Sequence, residues 1–301
     1  MHFPPIWSRD QLEEVSVVGN VSDISSDVKR CIDLVGGYSI KKSDYVVIKP
    51  NICSAKNPEN MVITDFQVIS AVINQVKELG NEVILVESDN ISGTAEKRAE
   101  GSGFLDLCDE LDVEFLNLSH DDYEEFPISG ASLRLPRTVL DADYFINLPK
   151  IKTCAHTLVT LAIKNLYGIF QRKKKGRLHK HLDEILPFLA ETIRSDMIIV
   201  DGMTCMEGNG PIIGNPVCLN LLAAGKNLVA VDSICSRIMG YDPASIPHIA
   251  LTSKRGVGPI DLEFIEVLGD DWKTYVNEFE PPYSLKASLK SWKAIRDVYL
   301  T

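Results

Sequence analysis

The sequence lacks closely spaced cysteines. Its seven cysteines are scattered over 301 residues, their number is odd, and no CxxC motif occurs. Disulfide-stapled domains and protein iron–sulfur sites are both marked by cysteines at short, regular spacing. The sequence therefore predicts free, buried thiols in a reducing compartment, and it does not predict an iron–sulfur cluster.

Positive charge is also scarce. The formal net charge is −11, whereas a protein that neutralises the phosphates of a nucleic acid needs a basic face. No run approaches the roughly 18 apolar residues of a membrane span, and the start MHFPPIWSRD lacks the basic-then-apolar order of a signal peptide. We therefore expect a cytoplasmic protein that binds neither nucleic acid nor membrane.

Two common functional signatures are missing. Neither the loop after Ile48 nor the loop after Val86 reads GxGxxG, so a standard dinucleotide site is not indicated. No serine lies in a GxSxG elbow, which argues against acyl hydrolysis by an α/β-hydrolase mechanism.

The remaining composition is that of an ordinary globular protein, with 45% hydrophobic and 24% charged residues. Apolar runs alternate with amphipathic segments, which predicts an α/β fold: a mostly parallel sheet with helices on both faces. The predicted strands are 15–18, 45–48, 82–86, 113–118, 144–148, 197–200, 220–224 and 264–267. The predicted helices are 22–35, 64–79 with a Thr64 cap, 94–111, 157–170, 181–193, 228–239 and 246–254. We expect a single domain over 1–301 with a small β-hairpin at an edge (120–140), or a subdivision near 140–200.

Charged residues follow the last apolar residue of several predicted strands. These residues are Lys49, Glu87, Asp89, Lys150, Lys152 and Asp201. Ligands bind at the carboxyl ends of the strands in open parallel sheets, so we expect these side chains to meet at one rim.

The stretch 144–168 concentrates this pattern. Its two first lysines alternate with an isoleucine, so an extended backbone directs both ammonium groups to one face. The helical spacing of 157–170 places His156, Thr160 and Lys164 on one polar stripe. Each lysine taken singly is more typical of a solvated rim, and the histidine of a capping or packing role. Three lysines and one histidine grouped in this way favour a pocket.

We interpret this pocket as the site of an enzyme that acts on a small anionic metabolite, a carboxylate or a phosphate, by proton or group transfer. Lys150 and Lys152 would anchor the anion, His156 would be the general acid or base, and Lys164 a proton carrier or an amine nucleophile. The predicted catalytic residues are Lys152, His156 and Lys164. The predicted substrate-binding residues are Lys49, Asn51, Lys150, Asn165, Gly208 and Gly210. Four carboxylates would hold the ammonium groups or bind a divalent metal: Glu87, Asp89, Asp201 and Glu207.

Two segments after this stretch have two interpretations each. The basic run 171–181, QRKKKGRLHKH, is either a solvated surface or a mobile flap that closes over an anionic ligand. The segment 206–214, MEGNGPIIG, is either a plain turn or a shaped loop whose backbone approaches a ligand.

Other functions stay open at this point. A redox or cofactor-binding protein would hold a flavin, a nicotinamide or a metal-containing cofactor at the rim, with the basic run over its phosphates. A non-catalytic ligand-binding protein would use the same pocket without turnover. A homo-oligomer is compatible with each of these functions.

Four ordered motifs resemble the DUF362 family. They are YVVIKPN (45–51), LPKIKTCAHTLVTLAIKNLYG (148–168), VDGMTCMEGNGPIIGNP (200–216) and VAVDSICSRIMGYDP (229–243). The resemblance spans about 45–268 and implies an α/β fold without a settled reaction. Many relatives carry an added ferredoxin-like iron–sulfur module, which this chain lacks. In this chain Cys154 and Ala155 separate Thr153 from His156, whereas relatives often have the histidine directly after the threonine. A Lys/His segment before a glycine-containing helix is also similar in theme to the lactate racemase group, which uses a nickel pincer cofactor.

Overall fold

A computed structural model describes residues 7–128, 131–171 and 175–285. Its strands are β1 (Glu13–Gly19), β2 (Val46–Pro50), β3 (Val83–Glu87), β4 (Glu114–Asn117), β5 (Tyr123–Ile128), β6 (Ala131–Pro136), β7 (Tyr144–Leu148), β8 (Lys150–Cys154), β9 (Leu158–Thr160), β10 (Met197–Glu207), β11 (Asn215–Gly225) and β12 (Ile265–Gly269). Its α-helices are α1 (Ile24–Leu34), α2 (Phe66–Glu78), α3 (Ala95–Gly101), α4 (Phe104–Glu110), α5 (Arg137–Leu140), α6 (Ala162–Asn165), α7 (Leu182–Thr192), α8 (Leu228–Ile238) and α9 (Pro247–Lys254).

Ten of the strands form one mostly parallel sheet. Its path is β12-β1-β11-β10-β7-β2-β3-β4, and β8 pairs with both β10 and β9. The neighbours from β10 through β7, β2 and β3 to β4 are parallel, whereas β11 is antiparallel to β1 and to β10. The predicted α/β class is therefore confirmed. The predicted hairpin is the separate pair β5–β6, which follows the edge strand β4.

Alternate residues of the strands serve two apolar cores on opposite faces of the sheet. On β2, Val46 and Ile48 belong to the core that contains residues of α1 and α2, whereas Val47 belongs to the core that contains residues of α7, α8 and α9. All three valine and isoleucine side chains are fully buried. A strand directs successive side chains to opposite faces, so an unbroken apolar run of this kind requires helices on both sides.

No helix in the described part of the chain has the length and apolar character needed to cross a membrane.

The cap of α2 differs from the prediction. Asp65, not Thr64, is the N-cap, and its carboxylate accepts a hydrogen bond from Gln67 N at 2.8 Å. The Thr64 hydroxyl instead donates to Leu148 O at 2.9 Å and accepts from Asn51 N at 2.8 Å. It therefore joins the carboxyl ends of β2 and β7, and the neighbouring aspartate takes over the capping role.

Two predicted helices are also corrected. The segment 94–111 forms α3 and α4, which are separated at Gly103, a residue with a left-handed φ of +77°. The helix predicted over 157–170 is wrong: the chain turns back after β8, forms β9 antiparallel to it, and only then forms the short α6. The β-branched residues of β9 suit a strand, and its pairing satisfies backbone groups that a helix would have satisfied internally.

The strands β10 and β11 are longer than predicted. Each has 11 residues, and their antiparallel ladder runs from Ile198↔Gly225 to Glu207↔Asn215 with one irregularity. The apolar signal ends near Val200, but the cross-strand hydrogen bonds continue. The loop 208–214 between these strands therefore lies beside β8, where Gly208 O accepts a hydrogen bond from Thr153 Oγ1.

Candidate functional site

A cavity of about 310 Å³ lies at the carboxyl ends of β2 and β3, beside β8. We call it the lysine cavity because four lysines line it: Lys49, Lys152, Lys164 and Lys175. The other polar side chains in its wall are Asn51, Cys53, Glu87, Asn90, Ser92, Cys154, His156, Thr160, Asn165, Tyr167, His179 and Asn209. Only one of them in the described chain, Glu87, is a carboxylate. The volume is at the small end of the range of ligand pockets.

The first lysine is paired with that carboxylate. Lys49 Nζ donates to Glu87 Oε2 at 3.0 Å and to Pro50 O at 2.8 Å, and both charged side chains are buried. Burial lowers the pKa of Lys49, while the Glu87 charge acts in the opposite direction. A Cβ atom at Gly168 would lie only 2.6 Å from Glu87 Oε1, so a larger residue there would have to displace the Lys49–Glu87 pair.

The second lysine is held by uncharged acceptors. Lys152 Nζ donates to Asn51 Oδ1 at 2.7 Å, to Val62 O at 2.6 Å and to Cys53 Sγ at 3.1 Å. Asn51 Nδ2 in turn donates to Asn165 Oδ1 at 2.9 Å. The Lys152 side chain is fully buried, and within the described residues no carboxylate forms an ion pair with it.

The third lysine depends on a carboxylate outside the cavity. Lys164 is on α6, a helix of only one turn whose first two amides bind Asp232 of α8. Asp232 Oδ1 accepts from Ala162 N at 2.7 Å, and Oδ2 accepts from Ile163 N at 3.0 Å. Burial raises the pKa of Asp232 to about 7, although both amides lower it. The side chain of Asp232 therefore fixes the start of the helix that carries Lys164.

The Lys164 amine is the least constrained of the four. It lies 4.2 Å from the centre of the Tyr167 ring, and within residues 7–128, 131–171 and 175–285 it makes no hydrogen bond. The side chain is partly accessible, whereas Lys49, Lys152 and Lys175 are buried. Burial of the amine lowers the pKa of Lys164; Cys154 opposes this effect and the Lys152 charge adds to it.

Cys154 is the charge partner of that amine. Burial alone would raise the pKa of the thiol, but the Lys164 charge and hydrogen bonds from Thr157 and from the His156 amide lower it below its ordinary value. The two groups can therefore share one proton, as an ammonium with a thiolate or as an amine with a thiol.

Residues 175–181 form one wall of the cavity. Lys175 Nζ donates to Ser88 Oγ, and burial lowers the pKa of this lysine to about 7. The His179 ring lies 4.1 Å from the His156 ring. Partial burial and the Lys164 charge lower the pKa of His156, and burial with the neighbouring His156 lowers that of His179 to about 4. Both shifts favour the neutral imidazole. The rest of the predicted flap, 172–174, lies outside the described residues, and its closure stays a prediction.

These elements fall within the region that a known family covers. The model of the family described as "Domain of unknown function (DUF362)" matches residues 46–237. The chain belongs to the DUF362 family. A thylakoid-associated protein of Synechocystis sp. is 32% identical over 264 residues, which covers 82% of each chain. Among solved structures, the lactate racemase apoprotein from Thermoanaerobacterium thermosaccharolyticum matches with a TM-score of 0.38 and 11% identity, covering 77% of this chain and 58% of that one.

In this DUF362 chain, one predicted anion-binding lysine has another role. Lys150 Nζ forms an ion pair with Asp201 Oδ2 at 2.7 Å, and both side chains are fully buried outside the cavity wall. The same oxygen accepts from Asp65 N at 2.7 Å. The pair therefore links β8, β10 and the start of α2, and the assignment of Lys150 to a substrate stays a prediction.

The four predicted metal carboxylates do not form a cluster. Asp201 binds Lys150, and Glu87 binds Lys49. Asp89 Oδ1 accepts from Ala95 N and Asn117 Nδ2, and Glu207 Oε2 accepts from Glu280 N. In the described ranges, no group of three or more His, Cys, Asp or Glu side chains could hold a metal ion. Glu87 and Asp89 lie at the end of β3, whereas Asp201 and Glu207 lie on β10, and the strands β7 and β2 separate these two strands in the sheet.

The two predicted substrate-binding glycines, Gly208 and Gly210, contact Thr153 of β8. Gly208 O accepts from Thr153 Oγ1 at 2.8 Å, and a Cβ at Gly210 would lie 1.9 Å from Thr153 O. The glycines therefore let the loop 208–214 pack against β8. The loop presents Asn209, Pro211, Ile212 and Ile213 to the cavity, whereas Gly208 and Gly210 are not in its wall.

His156, Thr160 and Lys164 all line the cavity, although they do not lie on one helix. The predicted polar stripe is wrong, since Thr160 pairs with Lys152 across the β8–β9 hairpin and His156 lies in the turn. The hairpin brings the stretch together instead. Residues absent from the predicted site also contribute: Cys53, Cys154, Lys175, His179 and Asp232. The short distance along the chain from Cys154 to His156 was a usable signal, but nothing in the sequence indicated that Asp232 binds α6.

Proposed function

We propose that this protein is an enzyme that acts on a small anionic metabolite, a carboxylate or a phosphate, by proton or group transfer. The observation that carries the proposal is the composition of the lysine cavity: its described wall holds four lysine amines and a single carboxylate around a space of about 310 Å³. Charges buried in protein need a partner, and Glu87 is already bound to Lys49. An anionic ligand supplies the missing negative charge.

The charge of the lysines would hold the anion, and few side chains would have to move when it binds. Lys152 is already oriented by Asn51 and Val62 O, so little side-chain entropy is lost when a ligand binds. Charge-assisted hydrogen bonds contribute about 1.5 to 3 kcal/mol each. The isoleucines of loop 208–214 and Ile91 give the same cavity an apolar side for the rest of the metabolite.

Proton transfer follows from the groups beside these lysines. The imidazole of His156 would act as a general base, and its lowered pKa favours the neutral form that this role needs. Lys164 and Cys154 form a second unit that can take up or release a proton. An anion next to Lys164 would favour its ammonium form, so ligand binding and proton position are coupled.

Binding is tested by calorimetry with inorganic phosphate, lactate and malate at several salt concentrations. We expect affinity that falls with rising salt and that is weakened at least about tenfold by Lys152→Met. Lys41→Met is the matched control, because Lys41 lies at the other end of the sheet. Salt-independent affinity, or equal affinity in both variants, would contradict the proposal.

Turnover is tested in D2O with the same acids and with pyruvate and dihydroxyacetone phosphate, followed by NMR. We expect conversion or carbon-bound deuterium for at least one compound, and a loss of about 10² to 10⁴-fold in His156→Ala. Binding without any conversion across the panel would favour a non-catalytic ligand-binding protein. Native mass spectrometry of the purified protein, with metal analysis, extends the panel to whatever co-purifies.

A further inference from the structure

We propose that the Lys164 amine forms an imine with a small aldehyde or ketone that carries a carboxylate or a phosphate. This inference rests on the proposed function and specifies the substrate class of the same cavity. It requires one amine that is free, reachable and able to lose its proton, next to cations that hold the anionic part of the substrate. The four lysines of the cavity differ in all of these respects.

The hydrogen bonds separate the four lysines into two groups. Lys49, Lys152 and Lys175 donate to protein acceptors, to Glu87, Asn51 and Ser88 respectively among others. Lys164 makes no hydrogen bond within residues 7–128, 131–171 and 175–285, and its amine lies over the face of the Tyr167 ring. An amine that is not committed as a donor can offer its lone pair to a carbonyl carbon.

Accessibility gives the same division independently. The exposed fractions of Lys49 and Lys152 are 0%, and that of Lys175 is 3%. The Lys164 side chain keeps accessible surface and contributes it to the cavity wall. The cavity therefore offers a bound carbonyl compound more accessible surface at Lys164 than at the other three lysines.

The proton that must leave Lys164 has a local acceptor. Burial and the neighbouring lysine charges weaken proton binding at this amine, and Cys154, whose pKa the Lys164 charge lowers, lines the same cavity and can receive the proton when it is a thiolate. Transfer from the ammonium to the thiolate removes two opposite charges from a buried place. It leaves a neutral nucleophile without any proton exchange with bulk water.

The reaction balances without a further reagent. The amine lone pair forms a C–N bond to the carbonyl carbon while the C=O π pair moves to oxygen, and one proton passes from nitrogen to oxygen to give a neutral carbinolamine. The Cys154 thiol then returns its proton to the carbinolamine oxygen, the C–O bond breaks, one water leaves, and the nitrogen lone pair forms the C=N bond of a protonated imine. The protonated imine withdraws electrons from the adjacent carbon, so a C–H there becomes acidic toward a base such as His156, which lines the same cavity.

The inference is tested by reductive trapping at neutral pH. The full-length protein is incubated separately with pyruvate, dihydroxyacetone phosphate and the uncharged ketone acetone, each with sodium cyanoborohydride, and the adduct is located by intact mass and peptide mapping. The two charged ketones distinguish a carboxylate substrate from a phosphate substrate. The variants are Lys164→Met, Lys164→Arg and, as a matched control on the exposed surface, Lys97→Met.

We expect a single adduct on Lys164 with at least one charged ketone, formed at least about tenfold faster than with acetone, because the cationic wall concentrates the anion. The adduct should be absent in both Lys164 variants, unchanged in Lys97→Met, and reduced by salt. Mapping in the unmodified protein gives the position even if a variant fails to fold.

Labelling spread over surface lysines, or equal rates with acetone, would overturn the inference. Phosphate or lactate binding in calorimetry without an adduct would reject the imine and leave the proposed function standing; loss of both would reject both.

Discussion

The two ends of the strands β2 and β7 carry opposite charge. The lysine cavity lies at their carboxyl ends, and a cleft of about 460 Å³ lies at their amino ends. We call the second space the aspartate cleft, after its charged residues Lys41, Asp44, Asp141, Asp143, Arg194 and Asp196. The aspartate cleft is the larger of these two spaces. The hydrogen-bond and ion-pair partners of the charged residues nevertheless favour the lysine cavity as the binding site.

The charges of the aspartate cleft serve the fold. Asp143 Oδ2 accepts from Tyr45 N at 2.8 Å, just before β2, and Asp196 Oδ2 accepts from Phe145 N at 2.9 Å in β7. Asp196 also forms an ion pair with Arg194. These carboxylates complete backbone hydrogen bonding where strands begin. In the lysine cavity, by contrast, Lys152 and Lys164 lack a carboxylate partner in the described chain, and such uncompensated charge is typical of functional sites.

The largest effect is expected where buried charge is fully compensated. Asp201→Ala should lower the free energy of unfolding by about 3 to 5 kcal/mol, because it leaves the Lys150 ammonium buried without a partner. Urea denaturation measures this loss. The double variant Lys150→Met/Asp201→Asn removes both charges and should recover most of the stability. No recovery would mean that the ion pair is not the cause of the loss.

An intermediate effect is expected at Asp232, and it depends on pH. Its pKa is raised from 3.8 to about 7, so the folded protein keeps a proton that the unfolded chain loses. This contribution to stability is complete below pH 4 and disappears as the pH rises to about 7, with a maximum slope of about 1.4 kcal/mol per pH unit.

The measurement for Asp232 compares unfolding free energies of the unmodified protein and Asp232→Asn from pH 4 to pH 8. The difference is needed because His248, whose pKa burial lowers to about 3, changes stability in the opposite direction as the pH rises. The stability of the unmodified protein relative to the variant should fall up to about pH 7 and then stay constant. A difference that does not vary with pH would contradict the expectation.

The smallest effect is expected in the aspartate cleft. Asp143→Asn keeps an oxygen that can accept from Tyr45 N, so the unfolding free energy should change by less than about 1 kcal/mol. The affinity of the lysine cavity for phosphate should stay the same, which calorimetry can measure beside the Lys152→Met variant. If this substitution weakens phosphate binding as much as Lys152→Met does, the functional distinction between the two ends is wrong.

The sheet and its helices were predictable because their signals are local. The apolar runs of β2, β3 and β7 are buried along their whole length, so composition alone marks them. The hairpin β8–β9 was not predictable in this way. Its apolar residues have a spacing that fits a helix equally well, and the choice depends on pairing with residues that precede it by only a few positions.

The site was predictable only at the level of strand ends. Lys49, Lys152 and Lys164 were expected in one cavity because of their positions after strands and beside His156. Lys150 occupies an equivalent position, yet its partner Asp201 comes from a strand that pairs directly with β8. The pairing of β8 with β10 decides that Lys150 binds a carboxylate while Lys152 faces the cavity. No local sequence pattern encodes this pairing. The assignment of site roles, the domain organisation, the cytoplasmic location and a homo-oligomeric state stay predictions.

The capping of α6 by Asp232 has a consequence for how the protein comes into being. The aspartate lies 70 residues beyond the amide it binds, and Lys152 binds an asparagine 101 residues before it. Contacts this distant form slowly, after much of the chain has condensed. A nascent polypeptide on the ribosome therefore has no complete lysine cavity until α8 has emerged. A metabolite that binds this cavity can stabilise only those molecules that have already folded.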